Sequence, residues 1–154
     1  MSTVMVTGGA GFIGSHLCEK LLELGYRVIN LDNFNDFYDP KIKRKNILTA
    51  LSNRRYTLIE GDIRDRKLLE KIFNTFNIDT VVHIAALAGV RTSIGNPLEY
   101  VDVDIKGTVN LLEFSKDFKV KKFIFASTSS VYGINSVPFK EDGKKSPISP
   151  YAAA

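Results

Sequence analysis

Gly8, Gly11 and Gly14 recur three residues apart in TGGAGFIG, directly after the apolar run TVMVT (3–7) and at the opening of a helical pattern. Glycines so placed suit a phosphate ligand. One lets the chain turn sharply, one lets the backbone approach a pyrophosphate, and one lets helix pack closely on strand. A helix opened there, at Phe12 and Ile13, points free N–H groups and its positive end at the anion. The triplet alone is a weak signal. The strand before it, the helix after it and Asp32 at the end of the second strand agree on a dinucleotide. A carboxylate at Asp32, with Asn33 beside it, can accept from both adenine-ribose hydroxyls and repel the 2′-phosphate of NADP, so NAD is predicted over NADP. The alternative for Asp32 is to cap a turn with Asn33. Asp62, after the third strand, falls where adenine should project, with Ile63 able to pack on the ring. Its alternative is the N-cap of a helix over IRDRKLLEK, and one residue can do both.

The elements that must position these groups follow from periodicity. Buried strands are predicted at 3–7, 27–32 (RVINLD), 56–62 (YTLIEGD), 79–86 (DTVVHIAA) and 121–128 (KKFIFAST). Ile13, Leu17, Leu21 and Leu24 recur at helical spacing, and Gly25 offers a C-cap. A second helix carries Leu68, Leu69, Ile72, Phe73 and Phe76. A third, starting after Pro97, carries Val103, Val109, Leu111 and Leu112. Strands alternating with helices imply parallel pairing with right-handed crossovers, and near-continuous apolar strands imply helices on both faces of the sheet. The expected fold is therefore α/β, a doubly wound parallel sheet of the Rossmann type. Residues 33–55 read as a loop plus a short helix over the sheet's edge, and the stretch from Gly133 to Pro150 as a surface loop.

At 154 residues, 44% apolar and 25% charged, the composition is that of one ordinary globular domain. No apolar run approaches the roughly 20 residues of a membrane helix. The N-terminus lacks the pattern of a secretory signal, and Cys18 has no partner for a disulfide, so a cytoplasmic protein is expected. The charge of +4 and the run KIKRKN (41–46) come without interleaved aromatics or a nucleic-acid motif; no nucleic-acid partner is expected, and the run reads as a solvated helix face. His83 reads as a satisfied histidine in a buried strand. No cluster has metal-ligand spacing.

Together, TGGAGFIGSHL, DNFNDFYDP, GDIRD, HIAALAGVRTSIGNPLEYVDVDIKGTVNLLE, SSVYG and SPYAA resemble the extended short-chain dehydrogenase/reductases, specifically the NAD-dependent nucleotide-sugar epimerases. LDNFNDFYDPKIKR and AGVR look most like the UDP-glucuronate 4-epimerases, with the UDP-glucose 4-epimerases next. The resemblance implies that Ala85, Ala86 and Leu87 of AALAG line the cofactor's ribose and nicotinamide side. It implies that Thr128 is the catalytic Ser/Thr, hydrogen-bonded to the sugar's reacting oxygen, and that Tyr151 is the catalytic tyrosine. Tyr151 would take the proton of the sugar's C4 hydroxyl while hydride leaves C4 for NAD; the 4-keto sugar would then turn over and be reduced on its other face. Arg91 could pair with a substrate carboxylate. Its alternative is an ordinary surface arginine. Ser129 and Ser130, assigned to the substrate side, stand where the related dehydratases carry Asp-Glu, which disfavours dehydration. Reduction of a keto-sugar, or a non-enzymatic NAD-binding module, stays open. Asp104 departs from the asparagine usual at its position.

The family's Tyr-x-x-x-Lys spacing calls for a lysine directly after Ala154. A reference tyrosine titrates near ~10 and depends on a nearby cation to become phenolate at neutral pH. The chain is therefore expected to be an incomplete NAD-binding domain spanning 1–154, C-terminally truncated, without the domain that holds the UDP-sugar, and inactive alone. Its parent is expected to bind a UDP-sugar, and a homodimer is plausible by the same resemblance.

Overall fold

A computed structural model describes all 154 residues. Five strands, β1 (Thr3–Thr7), β2 (Arg27–Asp32), β3 (Tyr56–Glu60), β4 (Thr80–His83) and β5 (Lys122–Phe125), form one sheet in the order β3-β2-β1-β4-β5. Every pairing is parallel. The central strand β1 is buried along its whole length, and its alternation sorts the two faces. Met5, with Ile29, Leu31 and Val81, enters the larger core; Val4 and Val6, with Val28, enter the smaller.

Helices cover both faces. The smaller core is closed by Cys18 and Leu22 of α1 (Phe12–Glu23) and Ala50 of α3 (Leu48–Leu51). The larger is closed by Leu69, Ile72 and Phe73 of α4 (Arg66–Thr75) and by Leu111 and Phe114 of α7 (Gly107–Asp117). Between β2 and β3 the chain forms α2 (Pro40–Asn46) as well as α3, one short helix more than the sequence suggested. Between β4 and α7 run α5 (Val90–Gly95), α6 (Pro97–Tyr100) and a π-helical segment, Val101–Lys106. The last short helix, α8, is Pro150–Ala153. No helix is long and apolar enough to cross a membrane.

Several further expectations need correction. Helix α1 does not bury the face carrying Ile13 and Leu24, which are 67% and 64% exposed; it buries Gly14, Ser15, Cys18 and Leu22. Close contact with the sheet selects small residues there, which periodicity in large apolar residues cannot reveal. On α7, likewise, Val109 and Leu112 face outward while Gly107, Asn110 and Leu111 face in. The predicted third, fourth and fifth strands overran at their carboxyl ends: after Glu60, His83 and Phe125 the chain leaves the sheet to form the loops of the site.

Asp62 is not the cap of α4. That helix is capped by Asp65, whose carboxylate accepts from Leu68 N–H at 3.0 Å. Asp65→Ala is therefore expected to cost about 1 kcal/mol, a fall in Tm of about 3 °C for a chain this size, whereas Asp62→Ala leaves the cap intact; thermal melts of the two variants check this.

Candidate functional site

Strands β1 and β4 are neighbours although helices and two strands separate them in sequence, so the loops leaving their carboxyl ends meet where the strand order reverses. Ligands of open α/β sheets bind at such a point. Gly8 takes φ +71°, and a Cβ on it would stand 2.8 Å from Ala85 N. Gly14 sits even closer: its Cβ would meet Gly8 O at 2.2 Å and Gly9 Cα at 2.7 Å. Gly11 is the N-cap of α1 and supplies no side-chain cap, which leaves the first N–H groups of the helix open to an anion.

A hollow of about 510 Å³ extends from this turn. All the residues expected at the dinucleotide line it: Gly8, Gly11, Phe12, Ile13 and Gly14 from the turn, Asp32 and Asn33 from the end of β2, Asp62 and Ile63 after β3, and Ala85, Ala86 and Leu87 after β4. Asp32 is buried and serves the turn directly. Its Oδ2 accepts from Ala10 N–H and its Oδ1 from Phe34 N–H, both at 2.9 Å. The turn-capping role and a place in the hollow thus coexist in one side chain, and each oxygen keeps a second lone pair for a ribose hydroxyl. Asp62 accepts from Asn33 Nδ2 at 3.0 Å and from Arg64 through its backbone N–H, Nε and Nη2. Burial pushes the Asp62 carboxyl up, but the hydrogen bonds from the Arg64 side chain, the Arg64 backbone N–H and Asn33 together outweigh it and hold it down at about 2. Arg64 also reaches Asp102 at 2.9 Å, tying this loop to the π-helical segment. Ile63 packs against Gly107, where a Cβ would meet its Cδ1 at 2.4 Å.

A second hollow of about 200 Å³ shares Ala85 and Ala86 with the first. It contains Thr128 and Tyr151, together with Asp104 and Thr108. Thr128 Oγ1 accepts from Ser130 N–H at 3.2 Å, so its own O–H is free to donate. Tyr151 is positioned by α8, whose N-cap Ser149 accepts from Ala152 N–H at 3.1 Å, and its ring meets Tyr100 edge-on at 6.2 Å. Ser129, Ser130 and Arg91 line neither hollow; Ser129 and Arg91 are exposed.

Sequence reasoning named Asp104 without placing it. It is 7% exposed, on the π-helical segment, and its Oδ1 accepts from Leu87 N–H at 2.8 Å. Burial pushes its carboxyl up to about 6. Beside it runs a hydrogen-bond chain. Thr108 donates to the Asp104 carbonyl, so His83 Nε2–H must donate to Thr108 Oγ1 at 2.9 Å. His83 Nδ1 then accepts from Thr7 at 2.7 Å, and Thr7 Oγ1 accepts from Ala85 N–H at 3.2 Å. His83 is thus a neutral, satisfied histidine, held down to about 4 by burial. Tyr38 and Lys43 also line the first hollow and were not singled out; a lysine inside a basic run carries no sign in sequence that it is buried.

With this geometry in view, the chain matches the model of the family described as GDP-mannose 4,6 dehydratase over residues 5–154. The chain belongs to that family. Within it, the chain is 47% identical over 154 residues to a UDP-glucuronate 4-epimerase of Thermodesulfobacterium geofontis, covering 99% of this chain and 48% of the relative. A UDP-glucuronic acid 4-epimerase from Bacillus cereus, solved with UDP-glucuronic acid and NAD, superposes with a TM-score of 0.87 at 43% identity, covering 98% of this chain and 48% of that one. A UDP-glucose 4-epimerase from Bifidobacterium longum, solved with NAD+ and UDP, gives 0.88 at 37% identity, covering 99% and 45%. The chain spans about half the length of these relatives.

Proposed function

We propose that this chain forms the NAD-binding part of a UDP-sugar 4-epimerase, with UDP-glucuronate the favoured substrate. The observation that carries the reading is a pair of adjoining hollows: the glycine turn, Asp32 and Asp62 line the first, Thr128 and Tyr151 the second, and Ala85 and Ala86 belong to both. The residues fit a dinucleotide. The turn is a cradle that side chains at Gly8 or Gly14 would fill, and a buried carboxylate stands at the end of β2.

When bound, NAD would accept hydride from sugar C4 and return it to the opposite face of the keto-sugar. The chain's own residues orient and move the proton. Thr128 donates its O–H to the C4 oxygen, and Tyr151 takes the hydroxyl proton and later restores it. The small side chains of Ala85 and Ala86 let the cofactor pass between the two hollows. The identity to UDP-glucuronate 4-epimerases supports that substrate over UDP-glucose. Although the family is described as a dehydratase, Ser129 and Ser130 offer no carboxyl group to expel a hydroxyl, which supports epimerisation.

Asp32 carries the preference for NAD over NADP. At ten times its Kd, NAD adds about 1.4 kcal/mol, an expected rise in Tm of about 4 °C, with no rise from NADP at the same concentration. A thermal shift with NADP equal to that with NAD overturns the assignment of Asp32. For a polypeptide that also carries the region the relatives have beyond their matched half, conversion of UDP-glucuronate to UDP-galacturonate tests the reaction, and its loss in Tyr151→Phe tests the base. The exposed stripe Val101, Ile105, Val109 and Leu112 supports a homodimer, which sedimentation tests. The free, buried Cys18 supports a cytoplasmic setting.

A further inference from the structure

The first hollow is lined by four carboxylates, Asp32, Asp36, Asp62 and Glu99, and by two cations, Arg64 and Lys43. A pyrophosphate entering such a site needs a counter-charge. The turn itself, residues 8–15, contains neither lysine nor arginine. Arg64 is committed, with Nη2 on Asp62 at 2.8 Å and Nη1 on Asp102 at 2.9 Å. Lys43 is not. It is 7% exposed and takes part in no salt bridge. Its ammonium lies 5.0 Å from the centre of the Tyr38 ring and donates to Asn35 Oδ1 at 3.3 Å. An ammonium has three donors, and burial without an anion is costly; one long hydrogen bond and an aromatic face leave it short of partners. Tyr38 Oη is buried and has no hydrogen-bond partner at all. That hydroxyl lies against the turn, since a Cβ on Gly11 would stand 3.9 Å from it.

Two under-satisfied polar groups, one cationic, therefore belong to residues that line the same hollow as the uncapped N-terminus of α1. We propose that Lys43 is the counter-ion of the pyrophosphate seated on the glycine turn, with the Tyr38 hydroxyl as a second donor. This rests on the reading that the hollow holds a dinucleotide. It makes α2, a helix outside the glycine motif, a determinant of affinity. Ligand binding would also complete the hydrogen bonding that Lys43 and Tyr38 lack.

The test is calorimetric titration of the chain and of Lys43→Gln, Lys43→Arg and Tyr38→Phe with NAD, ADP, 2′-AMP and adenosine. Lys43→Gln is expected to weaken NAD and ADP about tenfold, the size of a charge-assisted hydrogen bond, and to leave adenosine unchanged. Lys43→Arg, which keeps the charge, is expected to recover part of the loss. Tyr38→Phe, which keeps the ring under the ammonium, is expected to weaken ADP about threefold. Equal ADP binding by the parent chain and Lys43→Gln overturns the inference while the dinucleotide reading stands. Equal loss of ADP and adenosine overturns it too, because Lys43 would then shape the pocket rather than meet a phosphate. Loss confined to 2′-AMP would place the contact at the ribose instead. Failure of the parent chain to bind NAD or ADP overturns the dinucleotide reading itself.

Discussion

Replacing Gly14 with alanine is expected to destabilise the chain by about 3 kcal/mol or more and to abolish the NAD-dependent rise in Tm. The new Cβ would lie 2.2 Å from Gly8 O, 2.7 Å from Gly9 Cα and 2.9 Å from Gly8 C. All three are backbone atoms of the turn, so no rotamer change relieves the contact. Either α1 moves off β1, or the turn deforms and its N–H groups lose their aim at the proposed pyrophosphate. Gly95→Ala is the control. A Cβ there meets nothing within 4 Å, and alanine's better helix propensity should leave stability unchanged or raise it by about 0.5 kcal/mol. Urea unfolding of the two variants separates a close-packing requirement from a general intolerance of alanine. A Gly14→Ala chain as stable as the parent would sink the account of the turn.

Asp104→Asn is expected to stabilise the chain at pH 7 and to change how stability depends on pH. Burial raises the Asp104 carboxyl to about 6, so the folded chain holds that proton more tightly than the unfolded chain does. The stability it contributes is present at low pH and is lost as pH rises through about 6. The full shift corresponds to ~3 kcal/mol; water reaching the open hollow screens it, leaving an expected gain of about 2 kcal/mol for asparagine at pH 7. Asparagine keeps an oxygen for Leu87 N–H. His83 works in the opposite sense. Held down at about 4, it stays neutral in the folded chain while the unfolded chain takes up a proton below about 6.5, so its contribution is lost as pH falls from 6.5 to 4. Between pH 4 and 6 the two groups oppose each other, and the parent's stability should be nearly level with respect to them. In Asp104→Asn the His83 dependence stands alone, and stability should fall steadily from pH 6.5 to 4. Urea unfolding at pH 7, 5.5 and 4 reads both effects. A constant difference between parent and variant across that range would mean that Asp104 is not a buried carboxylate titrating near 6.

Much of the site could be read without coordinates because its chemistry is local in the chain. The glycine turn joins consecutive elements, and its spacing alone states where backbone must approach backbone. Asp32 and Asp62 follow from strand ends, and the strand order of a doubly wound sheet brings those ends together. The same locality explains the errors. Ile13, Leu24, Val109 and Leu112 have helical spacing but face outward, because the faces that seat α1 and α7 combine Gly14, Ser15 and Gly107 with Leu22, Leu111 and Phe114, and the small residues, which carry no apolar period, set where the close contact falls.

The succession of five strands, the glycine turn between β1 and α1 and the acidic residue at the end of β2 were determined by the sequence by itself, since hydrophobic period and glycine placement are properties of neighbours along the chain. Only the tertiary structure decided that Asp104 is buried against Leu87, that His83 is closed in by Thr7 and Thr108, and that Lys43, one of several lysines in a basic run, is buried with its ammonium over the Tyr38 ring. Those are contacts between residues 5 to 76 positions apart in the chain. Desolvation and charge pairing depend on what surrounds a group in space, and a side chain's own type and immediate neighbours do not specify that surrounding.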